Sequence, residues 1–227
     1  MSDTMTPRRS FLARMAAGAA AFGAVPALAA AASCAPAVAP TVAGPPSDEM
    51  DKWFSDMQGA YKIIYDCSQP GGGPDGVLFA RNFLTLSQEK LATKDADMSV
   101  VVSFRHFATP YGFNDAMWAK YPLFADLLKV QDPATRKPAA RNIPMHDEVQ
   151  GFSGASLPAL AARGVHFTVC GAATTFMAGV LAGKTGDAKA IEAELVANLV
   201  PGARVVPAGV VALQRAQKAG FGYTFAG

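Results

Sequence analysis

The chain has 227 residues, of which 51% are hydrophobic and 17% are charged, and its formal net charge is +2. This composition excludes an intrinsically disordered chain and a collagen-like repeat. It is typical of a globular protein with one fair-sized domain or two small ones, and a single core is the default expectation. The hydrophobic residues are spread unevenly, because residues 15–32 form an alanine-rich run with no charged residue between Arg14 and Asp48. The N-terminal segment is therefore interpreted separately from the domain.

Two adjacent arginines, Arg8 and Arg9, precede this run. Phe11 and Leu12 follow after one residue, and the weakly hydrophobic stretch comes next. This order is typical of a twin-arginine translocation signal, against the alternatives of an ordinary secretory signal or an unstructured basic tail. It predicts a protein that folds before export and works in the periplasm.

A small-x-small pattern at Ala27 to Ala29 predicts the cleavage site. The predicted organisation is a signal peptide over 1–29, an Ala/Pro linker over 30–47 and a domain over 48–227. The alternative is a lipid anchor at Cys34, in a poor motif where alanine replaces the usual leucine. A membrane is an expected partner only if Cys34 is lipidated.

Removal of residues 1–29 leaves 198 residues and lowers the formal net charge to 0. A nucleic-acid-binding protein needs a concentrated basic surface. The basic cluster of Arg136, Lys137 and Arg141 is short and is interpreted as a solvated loop. The sequence therefore predicts that the protein does not bind nucleic acid.

Apolar and β-branched runs alternate with helical periodicity along the domain. Strands are predicted over 61–67, 99–104, 166–170, 203–207 and 221–225. Helices are predicted around Phe79, Phe83 and Leu86 with Asp75 as N-cap, then over segments near 113–121 and 123–130, and over 156–162, 175–181, 187–199 and 209–218. Residues 131–154 are expected to form an extended surface excursion. The alternation predicts a three-layer α/β/α sandwich with a mainly parallel sheet of about five strands.

Three segments of the C-terminal half resemble the DsrE/DsrF-like family, which is associated with sulfur oxidation and sulfur relay. They are GVHFTVCG at 164–171, LVPGARVVPAGV at 199–210 and LQRAQKAGFGY at 213–223. The similarity is best over 156–225 and weaker over 60–130. The resemblance implies a five-stranded Rossmann-like fold of the DsrE type, a homo-oligomer and, in sulfur-carrying members, a cysteine that holds persulfide sulfur.

Cys170 stands where the strand-end cysteine of this family often occurs. It precedes Gly171 and a predicted helix, whose free N–H groups and dipole favour a thiolate. Cys170 is therefore the candidate persulfide residue. The alternative is a small buried side chain that only closes the strand, because free cysteine is among the most buried residue types.

Cys67 also ends a predicted strand, at the sheet edge where ligands bind in open α/β folds. It is a candidate resolving partner of Cys170, a disulfide partner, or an unrelated buried thiol. The unrelated thiol is favoured, because neighbouring strand ends are commonly too far apart for a disulfide. His106 follows the second strand and is a candidate thiolate support, against the alternative of a local hydrogen-bonding role.

The sequence of residues 71–76 matches G-x-G-x-x-G between a strand and a helix. The acidic residue that should bind a ribose is replaced by Arg105 and His106, so a flexible loop explains the glycines better than a nucleotide, although a smaller anion remains an alternative. The three histidines do not have metal-ligand spacing, and the motifs of hydrolases and zinc enzymes are missing from the sequence. No cofactor and no metal are predicted.

The leading functional hypothesis is therefore an exported carrier of sulfane sulfur at Cys170. Its partners would be a sulfur donor or acceptor protein or a small sulfur species, and a homo-oligomer is expected. The alternative is a noncatalytic binding or assembly module in which Cys170 is structural.

The export signal makes the first testable prediction. Replacing both arginines, Arg8→Lys with Arg9→Lys, should leave the precursor in the cytoplasm, because the paired guanidinium groups define the signal. Immunoblotting of cytoplasmic and periplasmic fractions measures this. Unchanged export of the double variant would contradict the twin-arginine interpretation.

Overall fold

The computed structural model describes residues 49–146 and 149–227. The predicted signal peptide, the linker and Cys34 lie outside the described residues, and the statements about them stay predictions. Within the described part of the chain, no helix has both the length and the hydrophobicity needed to span a membrane.

Five strands form one sheet in the order β4-β3-β2-β1-β5, and every neighbouring pair is parallel. The strands are β1 Tyr61–Cys67, β2 Met98–Phe104, β3 His166–Cys170, β4 Ala203–Val206 and β5 Gly222–Phe225. All seven residues of β2 are buried, as expected for a central parallel strand that is covered on both faces. The predicted five-stranded, parallel α/β fold is confirmed.

Helices connect the strands. They are α1 Glu49–Asp56, α2 Gly72–Leu91, α3 Asp115–Lys120, α4 Leu123–Leu128, α5 Leu157–Ala162, α6 Gly171–Ala182, α7 Ala188–Ala197 and α8 Gly209–Lys218. Short 3₁₀ turns lie at Asp95–Asp97, His106–Gly112, Ile143–Met145 and Val149–Gly151. The helix that was predicted to begin at 175 begins four residues earlier, because Cys170 itself caps it.

The alternation of side chains along each strand separates two cores. Tyr65, Val102 and Phe167 belong to the larger core, which is completed by α2 and the segments between β2 and β4. Ile64 and Val101 face the opposite side, where α1 and α8 cover them. The chain runs from β1 to β4 in one direction across the sheet and then returns past β1 to form β5. Because crossovers are right-handed, this reversal of direction places α8 on the opposite face of the sheet from α2.

Helix α2 differs from its prediction at its N-terminus. Its N-cap is Gly71 without a side-chain hydrogen bond, and Asp75 lies inside the first turn. The stripe of Phe79, Phe83 and Leu86 does not form the buried face, since Phe79 is 36% exposed and Leu86 is 48% exposed. The buried side chains of the helix are instead Val77, Leu78, Ala80 and Leu84.

The excursion over 131–154 is attached to the domain through Asn142, whose side chain is fully buried. Its Nδ2 donates to the carbonyl oxygens of Tyr111 at 2.9 Å and Phe113 at 2.7 Å. Its backbone N–H donates to the carboxylate of Asp115. These bonds hold the excursion against the segment that follows β2.

The glycines at the start of α2 allow close packing. A Cβ at Gly73 would overlap the ring of Tyr111, and a Cβ at Gly76 would overlap the sulfur of Cys67. The helix can therefore approach the sheet only if these positions have no side chain.

This packing predicts that Gly73→Ala destabilises the fold. Overpacking costs about 1–3 kcal/mol, and the better helix propensity of alanine does not remove the overlap with Tyr111. Gly179→Ala is the matched control, because Gly179 is also inside a helix and a Cβ added there would meet open space. The control should gain up to about 1 kcal/mol. Urea unfolding followed by circular dichroism measures both, and equal stability changes would contradict the packing argument.

Candidate functional site

The carboxyl ends of the strands meet at one edge of the sheet, where ligands bind in open α/β folds. Asp66 is near the end of β1, Arg105 follows β2 and Cys170 ends β3. The start of α8 at Gly209 lies at the same edge and contacts Arg105. This edge therefore holds most of the chemically active side chains singled out by the sequence or the structure.

Asp66 and Arg105 form a two-pronged ion pair. Nε of Arg105 donates to Oδ1 of Asp66 at 2.6 Å, and the second nitrogen donates to Oδ2 at 2.8 Å. Asp66 is only 1% exposed, and Tyr223 on β5 also donates to it at 2.8 Å. Sequence analysis missed this cluster, although a single acidic residue inside the apolar run of β1 is a signal of a buried charge that needs a partner.

The electrostatics of this cluster favour the charged pair. The hydrogen bonds to Asp66 raise the pKa of Arg105, with smaller contributions from the charges of Asp66, Tyr223 and Cys170, although burial opposes the shift. The pKa of Tyr223 is raised by burial and by its hydrogen bond to Asp66. Arg105 therefore stays cationic and Tyr223 stays protonated near neutral pH.

A row of polar side chains continues from Asp66 across the sheet. Asp66 is in register with Ser103, and Ser103 is in register with Thr168, so the three side chains are on the same face. Ser103 and Thr168 are fully buried, and their hydroxyl groups have no hydrogen-bond partner among the described residues. Thr168 is two residues before Cys170 on β3, so this polar row lies on the same face of the sheet as Cys170.

Cys170 is the N-cap of α6. Its sulfur accepts a hydrogen bond from the N–H of Ala173 at 3.4 Å, and 7% of the residue is exposed. The helix has 12 residues, so its N-terminal partial charge also acts on the sulfur. Cys170 therefore lies between the end of a strand and the start of a helix, as predicted.

A cavity of about 730 Å³ opens beside Cys170. Phe124, Cys170, Met177 and Gly209 are its buried lining residues, and Arg105 also lines it. Its apolar rim is formed by partly exposed side chains from four segments of the chain: Phe107, Leu123, Leu127, Phe176, Val180 and Val210. The volume is in the range of cavities that hold small organic ligands.

His106 also lines this cavity, as an exposed side chain. Its backbone φ is 51°, in the left-handed region, and its ring is edge-on to Phe107 with the centroids 4.3 Å apart. The structure thus brings His106 to the same cavity as Cys170. The cation that is held in a defined position there is Arg105, which the sequence did not single out as a thiolate support.

Cys67 is not brought to Cys170. Cys67 is in register with Phe104, and Phe104 is in register with Val169, so β2 lies between the two cysteine strands. Two strand spacings of about 4.8 Å exceed the Cα separation of a disulfide. Cys67 and Val169 share one face, and Cys170 faces the other. In this fold the roles of disulfide partner and direct resolving partner do not fit Cys67.

The environment of Cys67 is that of a packing residue. It is fully buried in the larger core and is a free thiol. Burial raises its pKa well above the ordinary value, with further contributions from the charges of Asp66 and Asp75. Its thiol therefore stays protonated and unreactive near neutral pH.

The glycine-rich segment over 71–76 is largely used in packing. The N–H groups of Ser68 and Gln69 donate to the carbonyl oxygen of Gly227, at 3.1 Å and 3.0 Å. Gly72 has no room for a side chain because Ala226 and Gly227 lie against it. These contacts occupy the crevice between β1 and β5, where the strand order reverses and a nucleotide would be expected.

The remaining histidines have partners away from the cavity. His146 contacts Asp115 at 3.1 Å, and His166 is edge-on to Trp53, with its pKa lowered by burial and by Arg204. Across residues 49–146 and 149–227, no group of three or more His, Cys, Asp and Glu side chains is placed to bind a metal.

A scan against known protein families finds none that matches this chain, and searches of curated proteins and of solved structures find no significant match.

Breaking the buried ion pair should destabilise the protein far more than breaking an exposed one. Arg105→Ala leaves the carboxylate of Asp66 buried without its cation, and we expect a loss of about 3 kcal/mol or more in the free energy of unfolding. Lys52→Ala is the control, because it breaks the exposed ion pair with Asp56 and should change stability by less than about 1 kcal/mol. Urea unfolding measures both, and equal losses would show that Asp66 does not depend on Arg105.

Proposed function

We propose that this protein carries sulfane sulfur as a persulfide on Cys170. The observation that carries the proposal is the position of Cys170: its sulfur caps α6, accepts the N–H of Ala173 and borders a cavity large enough for a sulfur donor. Arg105 adds a cation at the same cavity. The resemblance of the segments around 164–171 and 199–223 to sulfur-relay proteins supports the same chemistry.

The proposed reaction is an exchange between thiolate and persulfide. The thiolate of Cys170 attacks the outer sulfur of a donor R–S–SH, and a new S–S bond forms at Cys170. The S–S bond of the donor breaks, and R–S⁻ leaves with the electron pair. The proton on the outer sulfur stays in place, so the product is Cys170–S–SH. Transfer to an acceptor thiolate is the same step in reverse, and no oxidant is needed.

Three features support the anion in this step. The N–H of Ala173 and the N-terminus of α6 favour negative charge on the sulfur in its capping position. Arg105 supplies positive charge that Asp66 holds in one position. The low exposure of Cys170 limits access by bulk water and by large oxidants, which suits a reactive persulfide.

The rest of the proposal concerns location and assembly. The predicted twin-arginine signal supports a periplasmic carrier, and the family resemblance supports a homo-oligomer. The partners would be a donor and an acceptor of sulfane sulfur.

A second candidate function is a noncatalytic module that binds a small ligand. The cavity of about 730 Å³ favours it, because such a volume binds organic ligands without any reaction at Cys170. In that case the cysteine would only cap α6.

Mass spectrometry of sulfur adducts distinguishes the two functions. Incubating the reduced protein with polysulfide should add about 32 Da per sulfur atom to the peptide that contains Cys170. Cys170→Ser should lose the adduct and stay folded, since serine is a good N-cap and can accept the N–H of Ala173. Cys67→Ala is the control and should keep the adduct, because Cys67 is buried and protonated.

Absence of sulfur on Cys170 in the wild-type protein would overturn the carrier function. An equal adduct in the folded Cys170→Ser variant would also overturn it. Circular dichroism establishes that each variant is folded before the adducts are compared.

A further inference from the structure

The cavity beside Cys170 is lined mainly by apolar side chains. Its rim consists of apolar side chains from α4, α6, α8 and the turn after β2, including Leu127, Phe176 and Val210. Phe176 is 72% exposed and Val210 is 60% exposed. Exposed apolar side chains that surround a concave opening are typical of a binding site for an apolar group.

The positive charge of Arg105 is already shared at the cavity. Arg105 lines the cavity beside Cys170, and both oxygens of the buried Asp66 accept its hydrogen bonds. The proposed thiolate of Cys170 also depends on this cation, so an anionic ligand would lose its hydration among apolar walls and compete for the same charge. The walls therefore favour an uncharged ligand.

The volume of the cavity sets a limit on the size of a ligand. Cys170 is 7% exposed and Phe124 is 1% exposed, and both line the cavity. A small molecule that fits the volume can bring a sulfur atom to Cys170 directly.

We propose that the sulfur donor at this site is a small organic persulfide with an uncharged, apolar body. The inference rests on the proposed function and names its substrate class. The apolar body occupies the rim beside Phe176 and Val210, and its S–SH group points to Cys170. Attack by the Cys170 thiolate on the outer sulfur gives Cys170–S–SH and releases the apolar thiol as R–S⁻.

Two persulfides of different polarity test the substrate class. Benzyl hydropersulfide has an apolar, uncharged body, whereas the body of cysteine hydropersulfide has a charged amino group and a carboxylate. The rate at which each adds about 32 Da to Cys170 is measured by rapid quench and mass spectrometry. Each rate is divided by the rate of the same donor with glutathione. We expect this corrected rate to be about tenfold or more higher for benzyl hydropersulfide, because its ring is buried against the rim.

A pair of neighbouring residues on α8 provides matched variants. Val210 lines the cavity and Val211 does not, and both are in the first turn of the helix, where an acidic side chain is tolerated. Val210→Asp should remove most of the preference for the benzyl compound, and Val211→Asp should keep it. A carboxylate that merely repels the thiolate would slow both donors equally and leave their ratio unchanged.

The outcomes separate this inference from the proposed function. Equal corrected rates for the two donors would overturn the apolar substrate class and leave the persulfide carrier intact. An unchanged preference in Val210→Asp would also overturn it. Absence of sulfur transfer from both donors and from polysulfide would overturn the carrier function and this inference together. Rates that rise for both donors on dilution of the protein would show that a second copy covers the cavity, and would overturn the small-molecule site.

Discussion

The buried carboxylate of Asp66 is the constraint on which the candidate site depends. A charge that is 1% exposed is stable only with a matched cation and hydrogen bonds. Arg105, directly after β2, and Tyr223, on β5, supply them. The ion pair places the side chain of Arg105 against the start of α8. A Cβ at Gly209 would overlap that side chain, so α8 can begin there only with glycine. One buried charge thus links the ends of three strands and one helix.

The same edge imposes opposing requirements on Cys170. Low exposure would protect a persulfide on Cys170 from side reactions, yet the sulfur must also meet a donor. The N–H of Ala173, the N-terminus of α6 and Arg105 place positive charge beside the sulfur, and the cavity gives a donor access to it. A donor with an apolar body would exclude further water while it is bound, which strengthens these interactions during transfer. The apolar rim and the polar cap are therefore complementary parts of one arrangement.

The sequence predicted the sheet because 99–104 and 166–170 are short apolar runs bounded by turns, and such runs suit strands covered on both faces. It did not predict the buried face of α2. The stripe of Phe79, Phe83 and Leu86 has helical spacing, but so do the buried residues beside it, and periodicity cannot decide which apolar stripe contacts the sheet. The pair of Asp66 and Arg105, 39 residues apart, was also missed. It exists only because β1 and β2 pair in one register, which local sequence does not specify.

The two cysteines show how strongly register determines chemistry. Both end parallel strands, and their local sequences gave them similar roles. Cys67 is in the row of Phe104 and Val169, under α2, where Gly76 allows the helix to press against its sulfur. Cys170 is one residue beyond that row, so the alternation of the strand turns it to the opposite face, beside Arg105 and the open cavity. A displacement of one residue in β3 would turn Cys170 to the face of Cys67. The pairing of β2 with β3 therefore determines whether Cys170 can meet a ligand.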